Sequence, residues 1–252
     1  MLRPQILHFD SLPSTNLEAA KRAAEGAAEG LCVVAGEQTA GRGRRERHWV
    51  SPLGAGLYFS ISLRPQFDQT RWPLLTLMAA VAVHDALLAA CSLETDIKWP
   101  NDILANERKL CGILAETVET ADGSAAIIGI GINLTKEAVP EELRSAATSL
   151  EEMTGQKIDG EKVLAELMKA IAERYQVLQS EGGTEHTIRE WCANSSFAFD
   201  RQVRVSLHDD SFVGVTRGLD NDGALRVELS DGRIKQVRAG DVTALRSATS
   251  TK

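Results

Sequence analysis

Residues 41–49 read GRGRRERHW and place four arginines, Arg42, Arg44, Arg45 and Arg47, in a chain whose formal net charge is −7. Arginine presents a planar fork of donors matched to phosphate or carboxylate, and glycine lets a backbone close on a ligand. Three readings fit the stretch: a loop that grips an anion, a nucleic-acid contact with Trp49 as stacking platform, or a solvated turn. A dinucleotide fingerprint does not fit. Gly41 and Gly43 open like one, but Glu46 stands at the third glycine and no helix pattern follows. GIGINL (129–134) fails the same test at Leu134.

A second stretch, KWPNDILANERKLCGILAE (98–116), adds Lys98, Asn101, Asp102, Lys109 and Gly112. Read alone it is a hairpin with exposed lysines and an Asx turn. Read with the arginine loop it supplies cations, one carboxylate and tight turns at a single sheet edge. That inventory suits a nucleotide together with an acidic substrate.

Elements must hold these groups in place. STNLEAAKRAAEGAAEG (14–30) predicts a helix, with Thr15 and Glu18 matching a capping box and Leu17, Ala20 and Ala24 at helical spacing. LCVVAGE (31–37) and GLYFSISL (56–63) predict strands, so the arginine loop joins strand to strand. Residues 72–91 are apolar around most of the circumference, which predicts a buried helix. Three strands are expected at 95–99, 111–119 and 125–134, and residues 161–179 form the clearest amphipathic helix. After 189–196 four short β-rich runs are separated by Asp209-Asp210, Asp222-Gly223 and Asp231-Gly232, which are hairpin signals. These patterns predict a boundary near residue 195, dividing residues 1–195 from a small β-module at 196–252.

The 252 residues, 43% hydrophobic and 25% charged, describe an ordinary soluble chain able to bury a core. A pI near 5.4 argues against general affinity for nucleic acid or anionic membrane, so any anion site is local. Cys32, Cys91, Cys111 and Cys192 form no CxxC pair, and the N-terminal residues carry no signal-peptide pattern. The apolar run at 74–83 is short for a bilayer. The expectation is a cytoplasmic protein with reduced thiols and no membrane or DNA partner. Its five histidines show no metal-ligand spacing, and no residue is assigned to a metal.

Five stretches occur in order: STN (14–16), EQTAGRGRRERHW (37–49), KWPNDI (98–103), RKLCGILAE (108–116) and GIGINL (129–134). Together with the β-rich tail, the series resembles the biotin–protein ligases over nearly the whole chain. Glu46 stands where the family's loop commonly has glycine, while every arginine is kept. No helix-turn-helix pattern precedes Phe9, as in the short members without repressor function. The resemblance implies an α+β fold: a mixed, largely antiparallel sheet backed by helices (class II synthetase-like), followed by an SH3-like barrel. It implies ATP and Mg²⁺, with biotin as substrate, in two steps: formation of biotinyl-5′-AMP, then transfer to a lysine. The acceptor would be the biotin carboxyl carrier protein of acetyl-CoA carboxylase or a related carboxylase.

Residue by residue, the resemblance implies that Ser14, Thr15, Asn16 and Gln38 contact the ureido ring, whose N–H donors and carbonyl suit hydroxyls and amides. Gly41, Arg42, Gly43 and Arg44 would hold the biotin carboxylate and then the α-phosphate, with Lys109 as the central cation and Gly112 packing against biotin. Arg45, Arg47 and Trp49 would close over the adenylate. Asn101 and Asn133 would contact the nucleotide, and Asp102, with Asn101, would organise Mg²⁺ and the incoming amine. The catalytic set is then Lys109, Arg42, Arg44 and Asp102. Without an anion the loop arginines should repel one another. The β-module would touch ATP or the acceptor, or serve only as a packing appendage. A homodimer is compatible with all of this. A lipoate–protein ligase is the nearest alternative, although the polar set suits a ureido ring better than a dithiolane.

Overall fold

The structure is a computed structural model and describes residues 2, 4–208 and 210–245. Asp209 and the last seven residues of the expected β-module lie outside the described residues. In chain order the elements are β1 (Gln5–Leu12), α1 (Thr15–Ala24), β2 (Leu31–Gln38), β3 (Gly56–Leu63), α2 (Pro73–Cys91), β4 (Asp96–Lys98) and β5 (Asp102–Ala105). They continue with β6 (Arg108–Thr120), β7 (Gly123–Asn133), α3 (Leu150–Thr154), α4 (Gly160–Leu178) and α5 (Gly183–Ala193). The last five are β8 (Phe199–Ser206), β9 (Ser211–Leu219), β10 (Leu225–Glu228), β11 (Ile234–Val237) and β12 (Asp241–Ala244).

Seven strands form one sheet in the order β1-β2-β3-β7-β6-β5-β4. Only β1 and β2 run parallel; the remaining pairs are antiparallel. The expected mixed, largely antiparallel sheet backed by helices is therefore present. β7 lies between β3 and β6, and every residue from Ala125 to Asn133 is buried. A strand covered on both faces reads as a nearly continuous apolar run, which is why its sequence does not alternate.

One face of the sheet packs on α2, whose buried residues surround the helix because α4 and α5 cover its other side. That helix is long and apolar enough to cross a membrane by length and composition, more than the run at 74–83 indicated, yet 67% of its apolar window is buried in the fold. α4 presents Leu164, Leu167, Met168, Ile171, Tyr175 and Leu178 to the core, as its periodicity predicts. Asp159 caps it by accepting from the Glu161 and Lys162 amides, a contact worth about 1 kcal/mol. The opposite face of the sheet carries α1, with Ala19 and Ala23 against Val33, Ala125 and Ile127.

The expected elements need correction: β1 and β5 have no counterpart among the expected strands, and two further details differ. α1 stops at Ala24 instead of continuing through residue 30, and its capping box does not form. Ser14 is the N-cap without a side-chain bond, Glu18 pairs with Arg22, and the Thr15 hydroxyl is committed elsewhere. The C-terminal region holds five strands, not four, as an antiparallel sheet ordered β11-β10-β9-β8-β12. Val203, Val205, Leu225, Val227 and Val242 join the same hydrophobic cluster as α2 and the large sheet. The four cysteines are free. Burial pushes the Cys32 thiol up to about 12 and the Cys111 thiol higher still, so both behave as core groups.

Candidate active site

A cavity of about 540 Å³ opens between the large sheet, the arginine loop and the edge of the small sheet. It gathers residues from all five of the stretches named above, and from residues 138–147, Ser206 and residues 241–243.

At one end, Ser14, Thr15 and Asn16 are buried where β1 passes into α1. The Thr15 amide and hydroxyl both donate to Gln38 Oε1, at 2.8 and 3.1 Å, and Gln38 Nε2 donates to Ser51 Oγ at 2.9 Å. Ser60 Oγ lies 2.7 Å from Thr15 Oγ1 and 2.5 Å from Asn16 Oδ1. Asn16 Nδ2 donates to Glu116 Oε2 at 2.7 Å and to the Leu114 carbonyl at 3.3 Å. The cavity-lining members of this network are neutral hydroxyls and amides, held in position by one another and, through Asn16, by the Glu116 carboxylate behind them. Gly129 makes room for it, since a Cβ there would stand 2.0 Å from Asn16 Oδ1.

The arginine loop leaves β2 and folds back as a narrow ribbon, with bridges Gln38↔Ser51 and Arg42↔His48. Gly41 lies so close to the returning strand that a Cβ would approach the Trp49 carbonyl to 2.2 Å. At the tip, Arg45 and Glu46 have φ values of 53° and 60°, the left-handed region that glycine favours. Glu46 therefore holds, without a glycine's freedom, a backbone conformation that L side chains rarely adopt.

The loop arginines do not simply repel. Arg42 meets the Glu116 carboxylate, and Arg45 and Arg47 both pair with Asp241 of β12. Arg44 donates to Asn101 Oδ1 at 3.2 Å and to the Gly240 carbonyl at 3.4 Å. The expected repulsion is thus offset by carboxylates from two other parts of the chain. Burial lowers the Arg44 pKa from its ordinary value, and Asp241 and Asp102 act in the opposite direction. A partly desolvated guanidinium attracts an anion more strongly than one in open water.

The third part is the edge hairpin. Asp102 stands opposite Lys98 on β4 and opposite Gly112 on β6. Lys109 Nζ reaches Asp102 Oδ1 at 2.6 Å and stands 5.3 Å from the centre of the Trp49 ring. The contact is close in distance but poorly aligned for a hydrogen bond, so the buried Oδ1 keeps unused acceptor capacity. Asn101 Nδ2 donates to the Ile113 carbonyl, and Asn133 Nδ2 donates to the Thr148 carbonyl. Trp99 Nε1 donates to the Gly223 carbonyl, tying this turn to the small sheet.

Trp49 packs against the sheet at Gly112 and Gly131. Its ring lies where Cβ atoms at Gly112 and Gly131 would come within 3.0 and 2.4 Å, and its buried Nε1 has no partner among the described residues. Ser14, Thr15, Asn16, Gln38, Arg42, Gly43, Arg44, Arg47, Trp49, Asn101, Asp102, Lys109, Gly112 and Asn133 all line this one cavity. Gly41 and Arg45 do not: the first lies inside the ribbon and the second turns to Asp241. Ser60, Glu116, Gly129, Gly131 and Asp241 complete the arrangement without having been singled out. Glu116 ends the quoted stretch 108–116, but its link between Asn16 and Arg42 depends on tertiary contact.

The model of the biotin/lipoate A/B protein ligase family matches residues 7–133, and that of the biotin protein ligase C-terminal domain matches residues 198–243. The chain is 38% identical to the bifunctional ligase/repressor BirA of Bacillus subtilis over 240 residues, spanning 94% of this chain and 73% of that protein. The chain belongs to the biotin/lipoate A/B protein ligase family. This ligase is also 35% identical to the biotin–[acetyl-CoA-carboxylase] ligase of Mycobacterium tuberculosis, over 92% of its own length and 86% of the relative's. Among solved structures, the biotin protein ligase of Aquifex aeolicus in complex with biotin and ATP superposes with a TM-score of 0.83 at 29% identity. That match covers 96% of this ligase and 99% of the other chain.

Proposed function

We propose that the chain is a biotin–protein ligase that makes biotinyl-5′-AMP from biotin and ATP and passes biotin to a lysine of a biotin carboxyl carrier protein. The observation that carries this reading is the polarity of one cavity. Its Ser14–Asn16 and Gln38 end is neutral and rich in donors and acceptors; its Arg42, Arg44 and Lys109 end is cationic. A ureido ring suits the first and a carboxylate or α-phosphate the second. The relatives' names, a biotin–[acetyl-CoA-carboxylase] ligase and a complex holding biotin and ATP, support the same substrates.

Activation must bring a carboxylate against a polyanion, and the fixed cations offset that repulsion and stabilise charge developing at phosphorus. Arg42 and Arg44 hold the carboxylate and α-phosphate. Lys109 serves as a point charge between them, kept in place by Asp102 and by the face of Trp49. No group of three His, Cys, Asp or Glu residues that could cage a metal occurs among the described residues. Mg²⁺ held by one carboxylate and substrate phosphates needs no such cage, and Asp102 offers that carboxylate, with Asn101 beside it. When bound, Mg²⁺ supplies charge neutralisation on the phosphates. In the second step Asp102 accepts a hydrogen bond from the acceptor lysine and takes up its proton. The neutral amine forms the amide bond at the acyl carbon, and the acyl C–O bond to AMP breaks with the electron pair leaving on AMP. Arg47 and Trp49 close over the adenylate, and Asn133 meets the nucleotide.

In this reading residues 1–195 form the biotin- and ATP-binding domain and 196–252 the C-terminal domain, working in the cytoplasm. The test is exchange of labelled pyrophosphate into ATP with biotin, lipoate or octanoate. Exchange with biotin and Mg²⁺ alone is expected; equal exchange with lipoate would overturn the assignment.

A further inference from the structure

The cavity holds one cation that the reading above leaves unused. Lys98 lines it from the end of β4, directly across the ladder from Asp102. Cross-strand neighbours share one face of a sheet, so Lys98 and Asp102 rise on the same side. Asp102 is engaged by Lys109, Arg42 by Glu116 and Arg47 by Asp241. Among the described residues no carboxylate lies within ion-pair distance of Lys98; its recorded contact is Nζ at 5.8 Å from the centre of the Phe197 ring. An aromatic face holds an ammonium group weakly and leaves its charge uncompensated.

The proposed activation step creates a demand for such a charge. A biotin carboxylate oxygen forms a bond to the α-phosphorus, and the bond from that phosphorus to the α,β-bridging oxygen breaks. The electron pair stays on the bridging oxygen, which becomes a terminal oxygen of pyrophosphate; no proton or redox equivalent is needed. Negative charge therefore grows on the β,γ unit, while Arg42, Arg44 and Lys109 are occupied with the carboxylate and α-phosphate.

We propose that Lys98 binds the β- and γ-phosphates of ATP and stabilises pyrophosphate as it leaves. This rests on the biotin-activation reading and assigns the site's triphosphate end. Charge that appears only in the transition state makes Lys98 contribute to kcat as well as to ATP binding. The second half-reaction contains no pyrophosphate and should not depend on Lys98.

The two half-reactions are measured separately. Lys98→Met keeps the aliphatic stem over Phe197 and removes the charge. It should slow biotin-dependent pyrophosphate exchange roughly ten- to hundredfold, with a raised KM for ATP, the size expected for loss of one charge-assisted contact. Biotin affinity, read by calorimetry, should stay at the wild-type value. Transfer from chemically prepared biotinyl-5′-AMP to a biotin carboxyl carrier domain should proceed at the wild-type rate, and Lys98→Arg should recover much of the exchange. Wild-type exchange by Lys98→Met overturns the proposal. So does loss of both half-reactions together, which marks a structural lysine, or loss of transfer alone, which marks an acceptor contact. A wild-type chain inactive in both assays would instead count against the ligase reading itself.

Discussion

Arg44 differs from its neighbours in the loop. Arg42, Arg45 and Arg47 each meet a carboxylate, whereas Arg44 is held by an amide oxygen and a backbone carbonyl and is partly desolvated. It is therefore the loop cation best placed to give its full charge to a bound adenylate. Arg44→Gly removes that contact, worth about 1.5–3 kcal/mol, and should raise escape of biotinyl-5′-AMP roughly ten- to hundredfold. The measurable outcome is labelling of bystander lysines on serum albumin supplied with biotin and ATP. Labelling no greater than with the wild-type chain would contradict the role. Arg44 and Lys109 were legible as cations of an anion site from their residue types and motifs, and Gln38 only through the family resemblance; all three line the cavity. Ser60 and Gly129 were not legible, because their value lies in register: β3 and β7 pair them directly, which sets Ser60 beside Asn16 and clears space for it.

At the scale of elements, the start of α1 serves the cavity more than the helix. A helix N-terminus leaves amide donors unsatisfied, and a Ser at the N-cap ordinarily takes one. Here the Ser14 side chain makes no cap bond, and the Thr15 amide is taken by Gln38. Ser14→Ala should therefore cost well under the ~1 kcal/mol of a lost cap in thermal unfolding. Biotin affinity should fall about two- to tenfold, the worth of one neutral hydrogen bond. A large loss of stability with unchanged affinity would show that Ser14 is a cap after all. Long elements were readable from periodicity, as α2 and α4 show. β1 was missed because it is an edge strand whose pattern of exposed and half-buried residues carries little apolar signal. β12 was missed because a four-residue strand is too short to establish a period.

At the scale of the molecule, the small sheet is joined to the site through Asp241 and Gly240. Asp241 receives Arg45 and Arg47, and the Gly240 carbonyl receives Arg44, so the edge of the C-terminal sheet holds the tip of the arginine loop. Nothing in the local sequence of residue 241 announces this, because the contacts join residues that lie 194 to 196 positions apart. Half-exposed pairs contribute about 0.2–1 kcal/mol each and weaken in salt. Asp241→Asn should accordingly speed tryptic cleavage after Arg45 and Arg47 by ~2- to 10-fold in low salt, and the difference from wild type should narrow in high salt. Identical cleavage of the two chains would show that the contact does not restrain the loop.

The central claim is that the neutral end of the cavity selects biotin while the cationic end activates it for a protein lysine. Its most direct test combines the chain with Mg-ATP, a biotin carboxyl carrier domain and either biotin or lipoate, and maps the modified residue by mass spectrometry. Biotin should appear on one carrier lysine, with no modification when lipoate replaces it. Transfer of lipoate in biotin's place, or an unmodified carrier that another biotin ligase does modify, would contradict the account.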